Sequence, residues 1–187
     1  MPGTTSQECA MWASDHGVDG IELRAWSGLD QLRWDADECL GHLPITSTCG
    51  NCDKDGKSSF DFIDSDPAKR RLSLDESIDI LKLCGELGVV GQVVPPIFGP
   101  ARVPDLSPYL SALELEHGLM NAMLSELGSI ATDHKTLLLI EALNRYEQHY
   151  LRTLQDAGDA LVRAGLSGGV GILPIPFTCI LTRKLCH

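Results

Sequence analysis

The segment LLLIEALNRYEQHYLRTL, residues 137–154, gathers the side chains best suited to chemistry. Its apolar start reads as a strand buried on both faces, and that run ends on Glu141. In a barrel of parallel strands, the C-terminal strand ends form the active-site face. A carboxylate there could bind a metal ion or move a proton. Asn144, Arg145, Glu147 and His149 follow within one or two predicted helical turns. Spacing alone leaves a plainer alternative open, in which Glu141 ends a strand and Arg145 to Glu147 begin a solvated helix.

Other candidates carry less. Cys49 and Cys52 form a single CGNC. A lone CxxC without a second Cys or His pair is weak evidence for zinc or for redox work, and seven cysteines at irregular spacing do not suggest a disulfide framework. They read as incidental thiols. His16, His42, His117 and His134 fall on predicted helix ends or loops and read as exposed or satisfied. Glu22 ends a GIEL strand, where it would face the mouth or support a group that does. Trp12, Trp26 and Trp34 read as core more than as pocket wall. The loop 95–104 follows a strand and is placed to line a site.

The elements that must position these residues alternate. Thr5-x-x-Glu8 is a capping box that opens a helix to about Ser14, stopped by Gly17. Strands are predicted at 19–23 and 43–48, and a polar Gly- and Asp-rich loop from 50 to about 66. Ser73, with Glu76 three residues on, predicts a helix start, with Ile78, Leu81, Cys84 and Leu87 on one face and Gly88 as the stop. A strand follows at 89–96, and a long helix from Ser107-Pro108 to about Ala131. Then come the strand 135–144, a helix from Arg145 to Gly165, and a strand ending at Leu173. Repeated βα units predict an α/β fold with a parallel sheet, open or closed into a barrel. No phosphate-binding glycine fingerprint follows any strand, which weakens the nucleotide-binding open sheets.

The chain has 187 residues, against about 250 for a complete (β/α)₈ barrel. If the sheet closes as a barrel, five strands and a start on a helix leave it a partial (β/α)₈ TIM barrel, incomplete at both ends. The net charge of −11 makes the chain a poor candidate for binding nucleic acid, which needs lysine and arginine. No apolar run approaches the roughly 20 residues of a membrane span. The N-terminus shows no basic stretch followed by an apolar one, so a cytoplasmic location is expected.

The segment after Glu141 resembles the sugar phosphate isomerase/epimerase family of xylose-isomerase-like barrels, and most closely its ketose 3-epimerases of the tagatose/psicose type. That branch carries E-x-L-N-R-x-E-x-H-x-x-N-T after its fifth strand. Glu141, Leu143, Asn144, Arg145, Glu147, His149 and Thr153 match it, and Arg152 stands where Asn is usual. GVDGIEL and ELGVVGQVVPP are weaker, generic matches, and the resemblance runs from about Cys9 to Leu173. It implies about strands 2 to 6 of the barrel with their helices. It implies Glu141 as catalytic carboxylate and metal ligand, and Glu147, Asn144 and Arg145 as substrate-binding residues. The cofactor implied is a divalent metal, Mn²⁺, Mg²⁺ or Co²⁺, and the partner a small sugar or sugar phosphate, in an enzyme that could be a homo-oligomer. Hydroxypyruvate isomerases, inosose dehydratases and endonuclease IV-like zinc enzymes share the scaffold, and a non-catalytic barrel fragment is the remaining alternative.

The family's sixth strand runs into D-T-F-H-M-x-I-x-E, with its Asp a second metal ligand. This chain instead reads PIPFTCILTRKLCH after Leu173. Synonymous codons for that tail exist that, shifted by one base, read ADTFHMHIDEEAMP. The expectation is therefore an incomplete barrel domain over 1–173 and an off-frame tail over 174–187. The chain would then keep Glu141 but not the family's Asp, later His or last-strand Glu. It is expected to be inactive and to retain no metal.

Overall fold

The computed structural model describes residues 5–25, 27–51, 60–166 and 168–174. Trp26, Cys52 and the tail from Ile175 onward lie outside these residues. In chain order the elements are α1 (Ser6–Asp15), β1 (Ile21–Arg24), α2 (Leu29–Cys39), β2 (Ile45–Cys49), α3 (Pro67–Leu87), β3 (Gly91–Val94), α4 (Ala112–Asp133), β4 (Leu137–Glu141), α5 (Leu154–Ala164) and β5 (Val170–Leu173). The five strands are all parallel and stand side by side in sequence order. A doubly wound sheet reverses its strand order at a switch point. This one does not, so it winds in one direction, as a barrel wall does.

The sheet has a helix-covered face and an opposite, concave face. Leu138 and Ile140 of β4, Val94 of β3, and Val170 and Ile172 of β5 pack with Met120, Leu124 and Leu127 of α4. Leu23 of β1 packs with Ala10 and Ala13 of α1, Leu32 and Ala36 of α2, and Ile80 and Leu83 of α3. Successive strand residues alternate faces. The intervening positions Glu22, Arg24, Ser47, Cys49, Val93, Leu139 and Glu141 therefore point to the concave side. Gly91 lets β3 and β4 close up there, since a Cβ on it would lie 2.0 Å from the Leu137 carbonyl oxygen.

Several boundaries differ from the sequence reading. Helix α2 was not predicted. Gly28 precedes it with no side-chain cap, and its exposed face carries Trp34. Helix α3 starts at Pro67 behind an Asp66 cap, six residues before Ser73. Ser73 is instead buried inside that helix, where its hydroxyl accepts from the Asp61 amide. Helix α4 starts after Ser111, whose hydroxyl and Glu114 form a capping box, rather than at Ser107-Pro108, which is a cis peptide. Helix α5 starts after Thr153, capped by the same device with Asp156. Residues 144–153 are thus a loop, and Asn144, Arg145, Glu147 and His149 sit on it rather than on helical turns. His117 lies within α4, not at a helix end.

Candidate functional site

Glu141 ends β4 on the concave face at the C-terminal ends of the strands. Burial pushes its carboxyl up to about 7, and the negative charges of Glu22 and Glu147 push in the same direction. Glu22 reaches this space from β1, and its Oε2 accepts from the Ser47 hydroxyl at 2.6 Å. Cys49, at the end of β2, feels both acids. Burial first, then Glu22 and Glu141, lift its thiol to about 12. A thiol that high stays protonated at neutral pH and is a poor nucleophile or metal ligand.

The loop after β4 folds back over the mouth. The Asn144 carbonyl accepts from the Glu147 and Gln148 amides at 3.0 and 3.2 Å, which makes a tight turn. The Asn144 side chain caps that turn: its Oδ1 accepts from the Tyr146 amide at 2.9 Å, and its Nδ2 donates to Glu147 Oε2. Arg145 is exposed at the tip of the same turn. Gln148 is buried and donates to the Glu141 carbonyl at 3.3 Å, tying the loop to the strand end. Its Oε1 has no partner among the described residues.

The loop 95–104 lies alongside, as expected of a loop that follows β3. Gly99 pairs with Gln148, and the Gly99 amide donates to the Glu147 carbonyl at 2.7 Å. Arg102 of this loop holds Asp61 and Asp64 before α3, the latter at 2.8 Å. Burial raises the Asp64 carboxyl, but the Arg102 guanidinium and the hydrogen bond donated by the Asp66 amide outweigh it and hold the group below its ordinary range. The loops after β2, β3 and β4 thus form one connected rim. The 460 Å³ cavity lined by Leu40, Pro44, Leu87 and Val89 opens at the other end of the sheet, before β2 and β3, away from all this chemistry.

Of the residues singled out from the sequence, Glu141 and Glu147 come close enough for their charges to couple, and Asn144 joins them. Glu22 belongs with them, while Arg145 stands at the edge. Sequence reasoning missed Ser47, Gln148 and the buried Glu116. The alternation Glu22–Leu23–Arg24 facing Ser47–Thr48–Cys49 was the available signal for Ser47, because it marks which positions turn inward. Among the described residues no group of three or more His, Cys, Asp or Glu side chains could hold a metal ion. The carboxylates present are hard oxygen donors of the kind Mn²⁺ and Mg²⁺ prefer, but they do not complete a site.

Comparison with known proteins bears on the family and the fold. A family model described as a xylose isomerase-like TIM barrel matches residues 11–182. The 3-dehydro-D-guloside 4-epimerase of Escherichia coli K12 is 34% identical over 127 residues, which cover 66% of this chain and 45% of that enzyme. The apo crystal structure of 3-keto-D-glucoside 4-epimerase from E. coli superposes with a TM-score of 0.74 at 26% identity, covering 91% of this chain and 63% of that one. A D-psicose 3-epimerase crystallised with D-fructose gives a TM-score of 0.66 at 17% identity, over 91% of this chain and 57% of that one, a likeness of fold alone. The chain spans about half to two thirds of the length of these relatives. Among the described residues no helix is long and apolar enough to cross a membrane.

Proposed function

We propose, on the premise that the chain belongs to the xylose isomerase-like TIM barrel family, that it is the larger part of a sugar epimerase in which Glu141 moves the proton. The observation that carries this reading is the placement of Glu141 at the C-terminal end of β4 on the concave face, half-buried and within charge-coupling reach of Glu22 and Glu147, with burial pushing its carboxyl up to about 7. A group with that proton affinity can take or give a proton at neutral pH on the face of the sugar it meets, and a second acid must serve the opposite face. The reaction is removal of the proton on the carbon beside a ketone carbonyl. The C–H electron pair moves into an ene-diolate, and reprotonation on the other face inverts the centre. Glu147 and Asn144, locked to each other, present an acceptor and a donor for sugar hydroxyls, and Arg145 adds a positive edge at the mouth. The substrate is a small sugar or sugar phosphate, and the intact enzyme could be a homo-oligomer.

A divalent metal is expected from the family resemblance, with Glu141 as one ligand. Bound beside the carbonyl, it would stabilise the ene-diolate charge. The described residues do not make a metal site by themselves, so no step here depends on one. The off-frame reading of 174–187, and the inactivity of the chain in this form, are part of this proposal and rest on the sequence of that segment. The higher identity to the 4-epimerase favours a second reading of the substrate, a 3-keto glycoside rather than a free ketose. Both substrates present the same acidic C–H beside a ketone.

Sequencing the DNA through the Leu173 and Pro174 codons comes first. A shifted frame reading DTFHM is the expected result; an interrupted or unrelated frame removes the off-frame assignment. Deuterium uptake from D₂O into D-tagatose and into a methyl 3-keto-D-glucoside then tests the chemistry. The chain as it stands should give no uptake. A version with the restored frame should exchange one of the two sugars, and Glu141→Gln should slow that exchange about 1,000-fold or more. Exchange that survives Glu141→Gln would remove Glu141 from the reaction.

A further inference from the structure

We propose that His149 and Glu116 form a clamp outside the barrel that positions Asn144 and Glu147 at its mouth; the role of those two residues in holding a sugar rests on the reading above. Glu116 lies on α4 and is 2% exposed. Its Oε1 sits 2.6 Å from His149 Nε2, while His149 Nδ1 sits 3.0 Å from the Gly99 carbonyl oxygen. A carbonyl only accepts, so Nδ1 carries a proton toward Gly99. The Gly99 amide in turn donates to the Glu147 carbonyl at 2.7 Å. Both backbone groups of Gly99 are therefore committed to the loop after β4. At φ +82°, Gly99 also holds a backbone shape that side-chain-bearing residues rarely adopt.

The order of contacts is Glu116, His149, Gly99, Glu147, Asn144. A buried carboxylate stripped of its partner is costly. Glu116 therefore fixes the ring, the ring fixes Gly99, and Gly99 fixes the turn that presents Glu147 and Asn144. Neither Glu116 nor His149 is among the mouth residues, so both are positioning residues. The clamp also explains why a histidine follows the sugar-binding turn by two residues without joining it.

The test uses the full chain labelled with ¹⁵N. In His149→Phe, exchange of the Gly99 amide should quicken about tenfold or more. The Asn144 side-chain amide should move to the resonance of a free amide, with the amides of β3 and β4 unmoved. Glu116→Gln should keep both signals, because its amide N–H can donate to Nε2 of a neutral ring while Nδ1 still donates to Gly99. If His149→Phe leaves Gly99 and Asn144 at their wild-type values, the clamp is overturned. Should that variant fail to fold, His149→Gln, which reaches only one of the two acceptors, gives the same reading, and unchanged signals again overturn it. Adding D-tagatose or a 3-keto glycoside to the wild-type sample separates the two ideas. Silence of Asn144 toward both sugars counts against the proposed substrate class, while the response to His149→Phe still decides the clamp.

Discussion

The two sides of the sheet's helical cover are built differently. Behind β3, β4 and β5, two helices of 21 and 22 residues, α3 and α4, bury Leu81, Met120, Met123, Leu124 and Leu127 together with Phe62 and Ile63. Behind β1 and β2, two helices of 10 and 11 residues, α1 and α2, bury Ala10, Ala13, Leu32, Ala36 and Cys39 against Ile80 and Leu83 of α3. Small residues let short helices lie close, but they remove little apolar area from water. The strand that bears Glu141 stands on the large-residue side. The strand that bears Glu22 stands on the small-residue side, at the edge of the sheet. One carboxylate of the mouth is held by the firmer half of the molecule and the other by the lighter half.

Truncation should expose that contrast most strongly. Leu138→Ala, in the large-residue core, should cost about 2–5 kcal/mol in urea unfolding. Cys39→Ala, in the small-residue core, should cost only about 1 kcal/mol. Equal losses would mean that the two sides are equivalent after all.

The coupling across the mouth comes next in size. The Glu141 carboxyl is raised in the folded state, so the folded chain binds the proton more tightly than the unfolded one. Stability should fall as pH rises from the ordinary carboxylate range through about 7, and stay low above it. Discounted for partial exposure, the change is about 1–2 kcal/mol. Glu141→Gln should flatten that slope and stabilise the chain at pH 8, as read from urea midpoints across pH. Glu22→Gln should flatten it only in part, because burial is the larger cause.

The smallest effect belongs to a cap. Thr153→Ala removes the acceptor for the Asp156 amide and should cost about 1 kcal/mol, seen as a lower urea midpoint. The loop 144–152 should keep its turn, since Asn144 makes it independently of the helix. Loss of the Asn144 turn in this variant would join the loop to α5, as the sequence reading had it.

Local signals in the sequence carried the strands well and the helix starts poorly. The run LLLIE announces a buried strand with an acid at its end, because continuous apolar residues have few other uses at that length. Helix α2 has no capping side chain and a polar, tryptophan-bearing outer face, so its sequence resembles a loop. The stretch from Arg145 to Arg152 has charges at helical spacing, yet the Asn144 carbonyl captures two amides and makes a turn instead. The decisive start signal was Thr153 with Asp156, eight residues further on. The family motif pointed to Glu141, Asn144 and Glu147 together. The couplings of Glu141 with Glu22, and of His149 with Glu116, join positions far apart in the chain. Only the assembly of the strands into one sheet and the packing of α4 bring them within reach.

The stitching of the rim also bears on how this scaffold can be altered. Arg102 binds the loop before α3 to the loop after β3, and Gly99 binds the latter to the loop after β4. A new peptide grafted into any one of these would strain the other two, so changes of specificity here call for point substitutions. Among the described residues, the hydrogen bonds of the turn 40–44 at the opposite end of the sheet run to Gln7, Ile21, Ala36 and Cys39 rather than to these three loops. That turn is the natural place to carry a tag, a reporter or an inserted domain while leaving the mouth undisturbed.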